Sequence, residues 1–389
     1  MENEGIFPLP WVECRCPNPP KGKPMNLLKL AASIPSLDAK AMQKAQERQA
    51  QLTKPAGSLG RLEEIAVQVA GITGKEVPSL GKKRVILCAA DHGVAAEGVS
   101  AFPSAVTPMM VLNFLKGGAA INALARQAGA EIQVVDVGVA AELPQSKSLL
   151  SAKIAKGTRN FKVEPAMSGA EFQKAVELGF QLAQQAKKDK VTWVVLGEMG
   201  IGNTTSAAAL MAALLPCAVE DVTGFGTGID RTQWANKCRV IQEALQKHKL
   251  KPESPLEALR KVGGLEIAAL AGVVLGCAKN RIPVVVDGFI TSSAFLAAYR
   301  LNPQVKDFAF FSHRSEEPGH AKFYEMLGVQ PLLEMKMRLG EGTGGTLALN
   351  ILESALRAHA EMATFESAKV PTKIEKKPKG SKTSVSSRK

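Results

Sequence analysis

Aromatic residues are scarce, at 5% of the 389 residues, with three tryptophans and two tyrosines. A core of ordinary size must then rest on Ala, Val, Leu and Ile, which suits helices packed on a parallel sheet better than a β-sandwich. Cysteine is scarce as well. Cys14, Cys16, Cys88, Cys217, Cys238 and Cys277 lack paired zinc-type spacing and three fall in apolar runs, so reduced thiols and no metal are expected. The longest apolar run, Ile267 to Ala278, has 12 residues, too few to span a bilayer. The N-terminus carries Glu2 and Glu4 and no apolar stretch, so no signal peptide is expected and the cytoplasm is the expected location.

Charge is unevenly spread. From Lys369 to Lys389 eight basic residues face one acid, Glu375, so this stretch holds +7 of the net +13. The other 368 residues carry an ordinary +6. No basic stretch is interleaved with stacking aromatics, so nucleic-acid binding by the folded part is not expected. Residues 366–389 read as a disordered basic tail. Residues 1–25 read as an irregular leader, because Pro8, Pro10, Pro17, Pro19, Pro20 and Pro24 interrupt any regular element.

The domain expected between them, 26–365, alternates strands and helices. About 26–75 is helical with a break at Lys54–Gly60. Strands are predicted at Arg84–Ala90, Glu131–Val137, Val191–Leu196, Pro283–Val286 and Phe308–Phe311. Helices are predicted at Met109–Gly129, Phe172–Lys188, Leu265–Lys279 and Thr343–Glu361, with a Gly-rich lead into an Ala-rich helix at Gly200–Leu215. Strands separated by helices imply parallel pairing. The expected class is α/β, Rossmann-like: a mostly parallel sheet with helices on both faces.

Ligands of open parallel sheets bind beyond the carboxyl ends of the strands, and small polar residues gather in four loops placed to serve there. The first is Gly197-Glu198-Met199-Gly200-Ile201-Gly202-Asn203-Thr204-Thr205. Its glycines let backbone N–H groups approach an anion at the positive end of the next helix, and Thr204 adds a hydroxyl or a helix cap. The others are Thr223–Asp230 followed by Lys237, Ser312–Gly319, and Leu339–Thr346. Together they point to a phosphorylated ligand. None fits the Walker pattern or the dinucleotide fingerprint. Glu341, between Gly340 and Gly342, reads either as a general base open to close substrate approach or as a helix-start charge. Glu198 reads likewise, with a ribose hydroxyl as its functional partner.

Weaker signals stand beside these. Ala56-Gly57-Ser58-Leu59-Gly60 is close to a nucleophile elbow, but no strand precedes it, so a turn and helix cap are expected. His92, His313 and His320 lack metal-ligand spacing. Val284-Val285-Val286-Asp287-Gly288-Phe289 is faintly like a diphosphoribosyl-binding signature but lacks its paired acids.

Several uncommon strings occur in order: Lys54–Glu63, Ala90-Asp91-His92-Gly93-Val94, Glu198–Thr205, Val262-Gly263-Gly264, Asp287-Gly288-Phe289, Ser312-His313 and Arg338–Gly342. Over about Asn26 to Met362 the chain thereby resembles the nicotinate-nucleotide–dimethylbenzimidazole phosphoribosyltransferase family. The resemblance implies a parallel α/β domain with a small helical region built from the chain ends. It also implies a homodimer that moves the phosphoribosyl group of nicotinate mononucleotide to 5,6-dimethylbenzimidazole, a step of cobalamin nucleotide-loop assembly, with no cofactor. It implies Glu341 as catalytic base and Phe102, Met110, Met199 and Leu339 around the benzimidazole. It places Glu198, Gly200, Asn203, Gly226, Lys237 and Ser315 on the ribose-phosphate side. Phe102 and Met110 stand where relatives can carry Ser and Gln, making this pocket more apolar. Transfer to another azole, a purine or a phenolic base is the alternative within enzymes, and a silent nucleotide-binding regulator the alternative outside them.

Overall fold

The computed structural model describes residues 26–226 and 228–371. Six strands form one parallel sheet: β1 (Lys82–Ala90), β2 (Ala130–Gly138), β3 (Leu149–Ser151), β4 (Val191–Met199), β5 (Val284–Val286) and β6 (Ala309–Phe311). Their order is β3-β2-β1-β4-β5-β6, the doubly wound arrangement in which chain direction across the sheet reverses between β1 and β4. That crevice is where such sheets bind ligands. Val85–Ala90 of β1 and all of β2 and β5 are buried whichever way a side chain points. Strands of this kind need helices over both faces.

The five predicted strands are all present, and β3 is an addition; three residues at a sheet edge carry too short a pattern to read. The helices Leu265–Lys279 and Thr343–Glu361 have the predicted bounds. The predicted helix Met109–Gly129 is instead two helices, Val106–Lys116 and Ala120–Ala128. Gly117 adopts φ +78 and its N–H caps the first of them, the usual stop for a helix. Helices Arg231–His248, Phe289–Leu301 and Pro318–Leu327 were not predicted.

The two ends of the domain do meet. Leu52 forms an antiparallel bridge with Thr364, Arg48 donates to the carbonyls of His359 and Ala360, and Gln49 lies 2.8 Å from His359 Nδ1. The segment expected to be tail from residue 366 onward starts as turns: Ala368 N–H bonds Thr364 O, and Val370 N–H bonds Phe365 O. Residues 1–25 and 372–389, with Cys14, Cys16 and most of the basic run, lie outside the described residues. Among the described cysteines, all four are free.

Candidate active site

β4 runs out at Glu198-Met199, and Gly200-Ile201-Gly202 turns the chain into the helix Asn203–Leu214. Gly202, at φ +93, is its N-cap. The turn lies so close to β1 that a Cβ on Gly200 would sit 2.2 Å from Ala90 O. Glu198 is buried, and Asn203 Nδ2 donates to its Oε2 at 2.5 Å. Burial, with the nearby charges of Asp287 and Glu266, pushes Glu198 up to about 8.

Glu341 comes to the same place from the far end of the chain. Gly340, Glu341 and Gly342 have φ of +84, +64 and +85. Three successive left-handed residues make a tight arch, and glutamate in its middle is a strained choice. The surroundings hold it there. The Glu341 N–H bonds to Glu198, and a Cβ on Gly340 would sit 2.3 Å from Glu198 Oε1. On the far side Asp287, at the end of β5, accepts from Gly342 N at 3.1 Å and Gly345 N at 2.7 Å. Asp287 is itself fully buried, which raises it to about 7 against the pull of those amides.

Glu341 is 5% exposed and its Oε2 has no hydrogen-bond partner. Ile121 N–H bonds it. That amide is free because the break at Gly117 starts a second helix, whose first-turn N–H groups lack internal partners. Desolvation outweighs this bond, and with the Asp287 charge it lifts Glu341 to about 7. A carboxylate so poised, with an unengaged oxygen, can take a proton near neutral pH.

A third cluster forms beside Thr204. Lys237 is fully buried, and its Nζ donates to Thr204 Oγ1 and Gly224 O, both at 3.2 Å. A Cβ on Gly226 would lie 3.5 Å from that Nζ. Burial lowers the lysine's proton affinity, which the charge of Glu317 partly restores. Glu317 is raised by burial, and its Oε2 is unpartnered. A buried cation among glycine amides at a helix start can receive a phosphate. Ser315, close to Glu317 in sequence, is also buried, its N–H bonded to His320 Nδ1 and its Oγ accepting from Glu317 N–H at 3.4 Å.

Two of the four loops follow strands as predicted, after β4 and β6. Thr223–Asp230, into which the sequence shows no clear strand, follows the short helix Val219–Val222, and Leu339–Thr346 runs into the helix Thr343–Glu361 without a strand before it. The fold still brings both to β4 through Thr204 and Glu198. The apolar candidates are more open than an enclosed pocket implies: Phe102 is 50% and Leu339 58% exposed, and Met110 and Met199 are half-buried. His92, His313 and His320 do not converge. His313 and His320 pack with ring centroids 6.2 Å apart, whereas His92 bonds Ser206 and Glu266. Asp287, Glu317 and Ile121 were missed as contributors; an acid directly after an apolar strand was the available signal for Asp287.

The chain matches the phosphoribosyltransferase family over residues 34–370. A protein of Chloroflexus aggregans named nicotinate-nucleotide–dimethylbenzimidazole phosphoribosyltransferase is 53% identical over 342 residues, which is 88% of this chain and 97% of that one. Its namesake from Geobacter sulfurreducens is 51% identical over 347 residues, covering 89% and 99%. The crystal structure of CobT from Thermus thermophilus is similar with a TM-score of 0.82 and 44% identity, over 85% of this chain and 99% of that one. Identity of this extent across nearly the whole length of each relative shows that the chain belongs to the nicotinate-nucleotide–dimethylbenzimidazole phosphoribosyltransferase family.

Proposed function

We propose that this enzyme transfers the phosphoribosyl group of nicotinate mononucleotide to 5,6-dimethylbenzimidazole, giving α-ribazole 5′-phosphate and nicotinate. The observation that carries the reading is Glu341: buried, Gly-flanked, and with one carboxyl oxygen unengaged. The C1′–N bond to the pyridinium breaks and its electron pair leaves with nicotinate, which departs neutral at the ring and needs no acid. One azole nitrogen bonds to C1′ from the opposite face, turning β into α. The hydrogen on the other nitrogen passes to Glu341.

Lys237, Thr204, Gly226 and the Gly200–Asn203 turn take the 5′-phosphate, with Ser315 on the same side. Glu198 and Asn203 face the ribose. Phe102, Met110, Met199 and Leu339 form an apolar wall for the benzimidazole. The exposed Phe102 and Leu339 favour a homodimer in which a second copy limits solvent access to that wall. Among the described residues no helix is long and apolar enough to cross a membrane. Purified protein given nicotinate mononucleotide and dimethylbenzimidazole should release nicotinate and form the α-ribotide, identified by mass and anomeric NMR. Product with only a purine or a phenol would move the acceptor, and no product with any base would leave a silent nucleotide binder.

A further inference from the structure

Beneath the β4 turn lies a polar group that the proposed mechanism does not use. His92 lies two residues past the end of β1, is buried, and bonds on both ring nitrogens: Nε2 to Glu266 Oε1 at 2.6 Å and Nδ1 to Ser206 Oγ at 2.9 Å. Glu266 opens the helix Leu265–Lys279, and Ser206 lies in the second turn of the helix Asn203–Leu214. Serine, histidine and glutamate in this order have the spacing of a hydrolase triad. Ser206 is fully buried inside a helix, so its oxygen meets no carbonyl and nucleophilic catalysis is excluded. The trio has to act on the protein itself.

What it touches is the turn. A Cβ on Gly200 would be 3.2 Å from His92 Cδ2, one on Gly202 3.2 Å from His92 Cβ, and one on Gly264 2.3 Å from His92 Cε1. Three glycines thus let backbone close on the imidazole, and two of them belong to the loop that presents its amides to the donor. With a hydrogen on Nε2 given to the Glu266 carboxylate, Nδ1 accepts from the Ser206 hydroxyl. The ring is thereby tied to two helices at once. Thr107 is a second tie, its Oγ1 accepting Ile201 N–H at 3.1 Å.

We propose that His92, anchored by Glu266 and bonded to Ser206, is a positioning residue that fixes the Gly200–Asn203 turn for the donor's phosphate. The inference rests on the reading that this turn binds that phosphate. The turn meets the donor's phosphate and not the reacting C1′, so a loosened turn should be felt in donor binding and not in that of the azole.

Ser206→Ala removes one bond from an Ala-rich helix and should fold normally. It should raise the donor KM about tenfold, with kcat within about threefold and affinity for dimethylbenzimidazole unchanged. His92→Gln, which can still reach Glu266 but has lost the Nδ1 contact, should show the same donor defect. The double variant should show no further loss, because both changes cut one bond. Lys237→Ala is the control for the underlying reading. If Lys237→Ala weakens the donor but Ser206→Ala does not, the His92 inference is overturned and the phosphate site stands. If Lys237→Ala leaves donor affinity intact, the phosphate reading itself falls. Equal losses for donor and azole in Ser206→Ala would make the trio merely structural.

Discussion

Replacing Glu341 by Gln should slow the enzyme and, above neutral pH, make it more stable. Burial and the charge of Asp287 lift the Glu341 carboxyl from 4.5 to about 7. A displacement of that size corresponds to roughly 3 kcal/mol between the two protonation states. The sign follows from proton counting. Between 4.5 and about 7 the folded protein holds a proton here that the unfolded chain has released, so stability falls as pH rises through this window. Above it the folded state carries the full penalty of a buried carboxylate, and below 4.5 it carries none. Gln keeps the shape without the charge and removes that penalty, less the lost charge in the Ile121 N–H bond. Its left-handed φ is inherited unchanged, so backbone strain cancels in the comparison.

Chemical denaturation of both proteins at pH 5 and pH 8.5 measures the difference. The Gln variant should gain about 1–3 kcal/mol at the higher pH and lie within about 1 kcal/mol of the wild type at pH 5. Turnover at pH 8.5 should drop by about 10²–10⁴-fold, the contribution of a positioned base. In the wild type, kcat/KM should fall on the acid side with an apparent midpoint near 7, where the base becomes protonated. A variant that is less stable at pH 8.5, or an acid limb near 4.5, would refute the claim that this site strains a carboxylate to make a base. Retained turnover would remove Glu341 from the proton transfer.

Lys237→Ala should weaken nicotinate mononucleotide by about 10–150-fold, the equivalent of roughly 1.5–3 kcal/mol for a charge-assisted bond, while free dimethylbenzimidazole binds normally; calorimetry with each ligand separates the two. Gly340→Ala should abolish turnover, since its Cβ would lie 2.3 Å from Glu198 Oε1 in a left-handed residue, whereas Gly57→Ala, left-handed with nothing within 4 Å, should lose only about 1 kcal/mol of stability and keep its activity. Competition at limiting donor should favour dimethylbenzimidazole over benzimidazole by up to about 0.8 kcal/mol per methyl and disfavour hydroxybenzimidazole; equal use of the hydroxylated base would reveal a polar partner beside Phe102 and Met110.

The sheet was legible because its strands are short apolar runs that end in polar or small residues, as Val191–Leu196 does at Gly197-Glu198. Helices buried on all sides were legible too: within Leu265–Lys279, Ile267–Ala278 is an unbroken apolar block. The helices that escaped prediction are different in kind. Arg231–His248 has its apolar positions diluted by charge, and Phe289–Leu301 has its apolar pattern interrupted by Thr291-Ser292-Ser293. Val106–Lys116 and Ala120–Ala128 read as one helix in the sequence because Gly117-Gly118 leaves the helical period intact. Periodicity continues across a glycine pair, but the left-handed φ of Gly117 stops the ladder of hydrogen bonds.

That missed break matters at the site, because it is what frees the Ile121 amide to meet Glu341. Sequence could single out Glu341 from its glycine flanks, and Lys237 from its place after a Gly-rich loop. It could not show that Asp287, Glu198 and Glu266 would be buried in the same end of the sheet, since each stands alone among apolar neighbours. Nor could spacing reveal His92 with Ser206 and Glu266, separated by 114 and 174 residues. Polar groups of this sort are costly to bury, and the apolar pattern around each one conceals rather than announces it. The physical mark they leave is indirect: glycines at Gly200, Gly264, Gly340 and Gly344 whose missing side chains make room for His92, Glu198 and His313. A glycine-dense loop in a parallel α/β chain is thus a sign of what its backbone must approach, which can be a ligand on one side and a buried histidine or carboxylate on the other.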